Sequence, residues 1–231
     1  MLHRSLGVRM RPLRLAAIVA AAALVNSSAV VAQAPAPGTA PPGSSTAVRV
    51  ELTEGTQARY RVREQLAGIS FPSDAVGRSE TVSGVLLLNA SGAVVSEGSK
   101  LTLDLRTFKS DQDRGDNYLQ RNTFELEKFP PYAEFVPRRV EGLPFPFPSE
   151  PPAQAGFRLI GDMTMHGVTS EIAWNVVATF LEGQVSGLAT TSFPFSTFNL
   201  AKPSLARLLS VDDTINLELE FRATVAPVGT H

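Results

Sequence analysis

The stretch Leu159-Ile-Gly-Asp-Met-Thr-Met-His-Gly-Val-Thr169 sets apolar Leu159, Met163 and Met165 in alternation with Asp162, Thr164 and His166 until Gly167 breaks the period. A repeat of two belongs to a strand with one buried face, and a glycine at its end belongs to a tight turn. The same period recurs on both sides. It runs through Tyr60 and Val62; Val82, Gly84, Leu86 and Leu88; Leu101, Leu103 and Leu105; Ala133 and Phe135; Phe157 and Leu159; Ile172, Trp174, Val176, Ala178 and Phe180; and Ile215, Leu217, Leu219 and Phe221. Turn signals at Asn89-Ala-Ser-Gly92, Glu182-Gly183 and Ser186-Gly187 separate these runs, which read as antiparallel strands in a meander. The fold class is all-β. Pro144 to Pro152 is too rich in proline for a central strand and reads as an exposed hairpin loop.

A second stretch, Asp116-Asn-Tyr-Leu-Gln-Arg-Asn-Thr-Phe-Glu-Leu-Glu-Lys-Phe-Pro-Pro-Tyr-Ala-Glu-Phe135, interrupts the strands. Asp116 and Asn122 are candidate helix caps, with Glu125 three residues after Asn122. Pro130-Pro131 stops the segment before Ala133 and Phe135 resume the alternation. The reading is a short helical insert from Asp116 to Phe129 that covers one end of the domain, with Leu119, Phe124 and Phe129 turned inward. Closing about eight strands into a barrel abolishes exposed edges. It leaves an interior that is either filled by side chains or occupied by one small ligand, and periodicity does not choose between them.

Together the two stretches resemble the YceI-like family of exported lipid-binding proteins, over roughly residues 58 to 222. Asp116 and Leu119 match the family's helical insert, Phe124 its aromatic, Lys128-Phe-Pro130 the segment before the next strand, and Met163 to Thr169 the strand-and-turn motif. Thr197 to Pro203 and Leu209 to Leu217 are similar to a branch of the family. There are departures: Gly115 stands where arginine is usual, and Arg63-Glu-Gln-Leu-Ala-Gly-Ile-Ser-Phe71 lacks a histidine usual in that region. The resemblance implies a lipocalin-like antiparallel barrel of roughly eight strands. It also implies a long-chain isoprenoid-type lipid inside, either a polyisoprenoid or an isoprenoid quinone, in a binding or carrier protein. On that expectation the ligand-binding candidates are Leu101, Leu103, Leu105, Leu119, Phe124, Phe135, Leu159, Met163, Met165, His166, Trp174 and Leu217. A tail of this kind needs apolar walls and little else, because each buried methylene contributes about 0.8 kcal/mol.

Catalysis has thin support. The chain has no cysteine, which removes disulfides, thiolate nucleophiles, iron–sulfur clusters and cysteine zinc sites together. Past residue 32 the histidines are His166 and His231, so a multi-histidine metal site cannot be built and a Ser-His-Asp triad could use only His166. No nucleophile elbow, phosphate loop or dinucleotide fingerprint is present. The expectation is a protein without enzymatic activity, metal or cofactor. His166 keeps three readings: a brace for the turn at Gly167, a contact to a ligand head group, or a catalytic group in a lipid hydrolase or isomerase. A solid barrel acting as a protein-interaction module is the other alternative.

Arg4, Arg9, Arg11 and Arg14 precede an apolar run from Leu15 to Val25, followed by small residues, the three-part layout of a secretory signal. The run is about eleven residues, short of the roughly twenty that a membrane span needs. Residues 1–32 therefore read as a signal peptide, 33–47 as a disordered tether rich in Pro, Ala, Gly and Ser, and 48–227 as the barrel domain. The expected destination is the periplasm or the extracellular space, without stable membrane insertion. Loss of residues 1–32 removes four of 21 basic residues and none of 22 acidic ones, leaving 17 against 22 and a net charge near −5. That argues against nucleic acid and anionic membrane as partners. With Val30 and Ala32 at the small-residue positions, intact-mass measurement on protein secreted from a bacterial host is expected to give a mature N-terminus at Gln33. Recovery of a full-length, membrane-integral chain would overturn the assignment.

Overall fold

The computed structural model describes residues 46–148 and 153–228. The signal peptide and the tether lie outside the described residues up to residue 45, and strand β1 already begins at Thr46. The strands are β1 Thr46–Leu52, β2 Gln57–Leu66, β3 Ser73–Ser79, β4 Val82–Asn89, β5 Lys100–Asp104, β6 Tyr132–Glu141, β7 Ala153–Met165, β8 Val168–Leu181, β9 Gln184–Pro194 and β10 Leu208–Pro227. They form one sheet in the order β1-β4-β5-β6-β7-β8-β9-β10-β2-β3, and β1 also pairs with β10. This is a closed antiparallel eight-stranded barrel with one short helix.

Ten segments make eight staves because β1 and β2 lie end to end along one edge of β10. Leu52 stands opposite Ala223 and Gln57 opposite Glu220. The break between them is a turn in which Gly55 takes φ +83°. Thr56 holds that turn to β10: its hydroxyl donates to the Arg222 carbonyl at 3.2 Å and accepts from the Arg222 N–H at 3.1 Å. β3 and β4 form the next stave in the same way, paired with β2 and β1. Alternate residues then fall inside, such as Ala58, Tyr60 and Val62 on β2, all buried. The outer wall carries ion pairs, among them Arg59–Glu220 at 3.0 Å, Arg63–Asp74 at 3.1 Å and Arg139–Glu171 at 3.0 Å. Exposed pairs of this kind contribute at most about 1 kcal/mol each. Their larger effect is on register, since a one-residue slip would carry every charge into the core.

Four expectations are corrected. β5 stops at Asp104, whose carboxylate accepts from the Arg106 N–H at 3.0 Å and bends the chain into a 3-10 turn over Leu105–Thr107. Leu105 is buried there but does not share a strand face with Leu101 and Leu103. The insert begins earlier than its supposed cap: helix α1 spans Asp113–Tyr118 and runs on as a π-helical turn over Leu119–Thr123, which contains Asn122. Asp116 lies inside α1, buried, and its carboxylate accepts from the Ser110 N–H at 3.0 Å and the Ser110 hydroxyl at 2.7 Å, so the segment winds around it. Ser186-Gly187 is not a turn but part of β9, where a Cβ on Gly187 would lie 2.1 Å from the Val177 carbonyl oxygen. The described part of the proline-rich loop, up to Pro148, also turns inward: Phe147 is half-buried with its ring 5.1 Å from that of Phe180.

Gly161 is a second close approach of two strands. A Cβ there would lie 2.3 Å from the Val136 carbonyl oxygen and 2.8 Å from Pro137 Cα, both backbone atoms of β6. Gly161→Ala is therefore expected to cost about 1–3 kcal/mol through forced displacement of the strand, read by urea unfolding. Gly156→Ala, on the same strand with its nearest neighbour 3.9 Å away, is expected to stay within about 0.5 kcal/mol. Equal losses at both positions would remove the steric account.

Candidate functional site

The inward faces do not fill the barrel evenly. Between the middle of the barrel and the end that carries the β8–β9 turn they enclose a cavity of about 160 Å³. Its wall is built by cross-strand neighbours. Leu101 faces Phe135, Phe135 faces Met163, and Leu159 faces Trp174. The Phe135 and Trp174 rings meet edge to face with centroids 6.3 Å apart. Leu103 and Leu217 complete this part of the lining, and Phe147 joins from the proline-rich loop. The polar residue types on the wall are Arg59, Thr102, Glu134 and Glu218. Arg59 is engaged by Glu220 at 3.0 Å and Glu134 by Lys100 at 2.8 Å, both in exposed contacts. What the lumen presents is hydrocarbon and aromatic surface.

The opposite half is a plug. Val62, Ile215 and Phe193 stand in register on β2, β10 and β9 and are all buried. Phe193 packs edge to face on Phe198 at 5.0 Å, and Phe195, Leu200 and Met165 are buried with them. His166 closes this end. It sits with φ +54° beside Gly167 at φ +72°, at the centre of the two-residue hairpin between Met165 and Val168; Asn-Gly and similar pairs serve such turns for the same conformational reason. Its Nδ1 lies 3.0 Å from the Phe198 carbonyl oxygen and its Nε2 3.1 Å from Glu125 Oε2. Both partners are acceptors, so the ring makes both bonds when it carries a proton on each nitrogen. Phe129 stacks on it at 4.0 Å. Lys128, first, and His166, second, hold the Glu125 carboxyl below its ordinary value.

Of the residues expected from the sequence, Leu101, Leu103, Phe135, Leu159, Met163, Trp174 and Leu217 come together on the cavity wall. Leu105 and Met165 are buried in the plug, and Leu119 and Phe124 of the insert pack against the core without reaching the cavity. His166 is spent on the clasp.

The YceI-like domain model matches residues 52–223. The chain belongs to the YceI-like family. Solved structures share the fold. BcnA from Burkholderia cenocepacia is 16% identical, with 74% of this chain and 96% of that one covered and a TM-score of 0.52. A polyisoprenoid binding domain from Saccharophagus degradans, implicated in plant cell wall breakdown, is 12% identical, with 79% and 100% covered and a TM-score of 0.57. A Campylobacter jejuni YceI protein is 16% identical, with 72% and 91% covered and a TM-score of 0.51. At these identities the likeness is one of fold. Among curated proteins, none matches the chain.

Within this YceI-like barrel, sequence reasoning passed over several wall residues, among them Phe108 and Val185 and two instructive pairs. Val50 and Leu52 lie on β1, in a segment too short and too mixed to show its period. Leu143 and Phe147 were hidden by the prolines around them, although the spacing of Phe145 and Phe147 by two was a signal. The clasp yields a direct prediction. His166→Ala removes both bonds at a buried site and is expected to lower stability by about 1–2 kcal/mol in urea unfolding, with hydrocarbon binding in the lumen retained by the folded fraction. Unchanged stability with binding abolished would move His166 out of the clasp and into the binding site.

Proposed function

We propose that this protein is an exported carrier for a long-chain isoprenoid-type lipid, a polyisoprenoid or an isoprenoid quinone, whose tail lies in the barrel lumen. The observation that carries the reading is the wall: apolar side chains from the barrel staves converge on one cavity and no charged group ends inside it. Such a surface rewards hydrocarbon at about 0.8 kcal/mol per methylene and offers no hydrogen bond to a polar chain. The cavity of about 160 Å³ is close to one that admits a single benzene-sized molecule. A longer tail therefore requires side chains to move. Met163 is the most adaptable of them, and Leu143 and Phe147 enter the wall from a loop instead of a strand. The Saccharophagus degradans neighbour, a polyisoprenoid binding domain on the same fold, supports the same ligand class.

Binding without turnover is the better reading of the site. The hydrolase or isomerase alternative needs His166 at the ligand, whereas both its nitrogens are taken by Phe198 and Glu125 and it is absent from the cavity wall. Among the described residues no group of His, Cys, Asp and Glu is placed to hold a metal ion. The solid-barrel alternative is disfavoured by the cavity itself. Export to the periplasm or the extracellular space is supported by the basic and apolar N-terminal layout, and among the described residues no helix is long and apolar enough to cross a membrane.

Leu103→Trp tests the reading at its centre. A bulkier apolar side chain on the cavity wall takes volume from the ligand while keeping apolar burial, so co-purifying isoprenoid lipid is expected to fall several-fold while the melting temperature of delipidated protein barely moves. In a filled core the same change would cost about 1–3 kcal/mol of strain. A variant that melts far lower, from a parent that carries no lipid, would rule out a carrier.

A further inference from the structure

The ladder between β8 and β9 is shorter than either strand. Its pairs run from Leu181 and Gln184 at the turn to Asn175 and Thr190 and stop there, whereas β8 stays paired with β7 as far as Val168 and β9 with β10 as far as Pro194. Pro194 has no N–H with which to continue the ladder. The two segments are tied again at Ser170, whose hydroxyl donates to the Thr197 carbonyl at 3.3 Å. Between these points residues 171–174 and 191–194 border a seam in the barrel wall.

Side-chain burial follows the seam. On the inner face Val176 and Ala189, the last inward pair of the ladder, are buried, and so are Ile172 and Phe193 in the plug. Between these two layers Trp174 and Thr191 are half-buried. Trp174 lines the cavity, and Thr191 stands opposite Leu217, another wall residue. On the outer face the seam opens into a groove of about 580 Å³, larger than the roughly 150 Å³ that holds a benzene-sized molecule. Thr191 and Leu217 belong to the inward rows, yet both border this groove. The groove also differs from the charged wall around it. Among the described residues the Asn175 amide and the Thr190, Thr191 and Ser192 hydroxyls have no hydrogen-bond partner. Its cations are matched: Arg61 by Asp74 at 3.2 Å and Glu218 at 3.7 Å, Arg158 by Glu141 at 3.1 Å.

We propose that the seam is a side entrance to the lumen and that the groove outside it seats the head of the lipid, an uncharged group bearing hydrogen-bonding oxygen, as in an alcohol or a quinone ring. The inference rests on the carrier reading and adds an entry and a head-group class to it. Because no ladder joins β8 to β9 here, the strands part for a prenyl chain without breaking one. The tail passes Trp174 into the cavity, and the head stays outside on the free amide and hydroxyls. Those groups both donate and accept hydrogen bonds, so they serve an alcohol or a carbonyl alike. A phosphate meets two guanidiniums already matched and the Glu218 carboxylate beside them, so a phosphorylated lipid binds more weakly.

The chain has no cysteine and one tryptophan, Trp174, so an introduced thiol is labelled alone and indole fluorescence reports the arrival of a tail. Ser192→Cys places a thiol at the seam and Gln184→Cys places one at the β8–β9 turn, the end of the barrel; both positions are exposed. Each variant is loaded with an all-trans twenty-carbon prenyl alcohol before and after labelling with a maleimide polyethylene glycol, with complete labelling checked by intact mass. Labelling at position 192 is expected to slow loading several-fold and labelling at position 184 to leave the rate unchanged. A second arm titrates the parent with the same chain bearing an alcohol, a monophosphate or no head. The alcohol should bind several-fold more tightly than the other two, and Asn175→Ala combined with Thr190→Val should remove most of its advantage over the bare hydrocarbon. Loading slowed at position 184 and not at 192, or at neither, would overturn the side entrance. Equal affinity for the three probes, or an advantage that the double variant leaves intact, would overturn the head seat. Failure of all three probes to bind the unlabelled parent would overturn the carrier reading, and the entrance with it.

Discussion

Closure of the sheet, by the pairing of β1 with the last residues of β10, is the constraint on which everything else depends. Val48 to Leu52 lie against Ala223 to Pro227, and that contact closes β1 and β4 to β10 into a ring, removing the exposed edges that β1 and β10 would otherwise present to each other's side. β10 makes it possible by its length of 20 residues. Its first part carries β2, its end carries β1, and its other edge carries β9 throughout the middle. A shorter β10 would leave either the β2–β3 hairpin or the closing stave unpaired. Once the wall is closed, the period of two has only one meaning: each residue faces either water or the interior.

That period is why the barrel was legible in the sequence. The strands around Leu101, Phe135, Leu159, Trp174 and Leu217 are set by alternation alone, and the same alternation placed those side chains on a common interior face. The errors fall where a side chain bonds to its own backbone neighbourhood. Asp104 captures the Arg106 N–H and ends β5 one residue before Leu105; Asp116 captures Ser110 and draws the insert's helix forward. Both aspartates look like ordinary polar or capping residues until the fold shows which amide they reach. Gly187 misled in another way, since a glycine required by the close approach of a neighbouring strand has the same letter as a glycine required by a turn.

The plugged half is held by a concentration of unusual backbone. Among the described residues, the non-glycine residues with positive φ are Glu125, His166 and Asn199, and they belong to one knot: Glu125 and the carbonyl next to Asn199 are the two partners of the His166 ring. Each left-handed residue costs about 1–2 kcal/mol. The cost is borne because Glu125 and Asn199 let their segments present a carboxylate and the Phe198 carbonyl to a ring that His166 places at the hairpin, and the segments joined are the insert, the β7–β8 hairpin and the chain after Phe195–Phe198. The ring is in turn covered by Phe129. The knot ties together chain segments that no strand pairing connects.

This concentration explains why the other half can remain hollow. A cavity removes contacts from its lining and so lowers stability roughly in proportion to its size, which a barrel with uniform interior packing would feel along its whole length. Here the Val62, Ile215 and Phe193 layer and the knot above it stabilise one end, while closure by β1 and β10 maintains the wall at the other. Wall residues such as Leu103, Met163 and Trp174 are thereby relieved of much of the work of folding, and their shape can answer to an occupant. Polarity follows the same division. The hollow half ends no charge inside, whereas the inward line of β2 reaches Tyr60 and then Glu64 as it nears the plugged end.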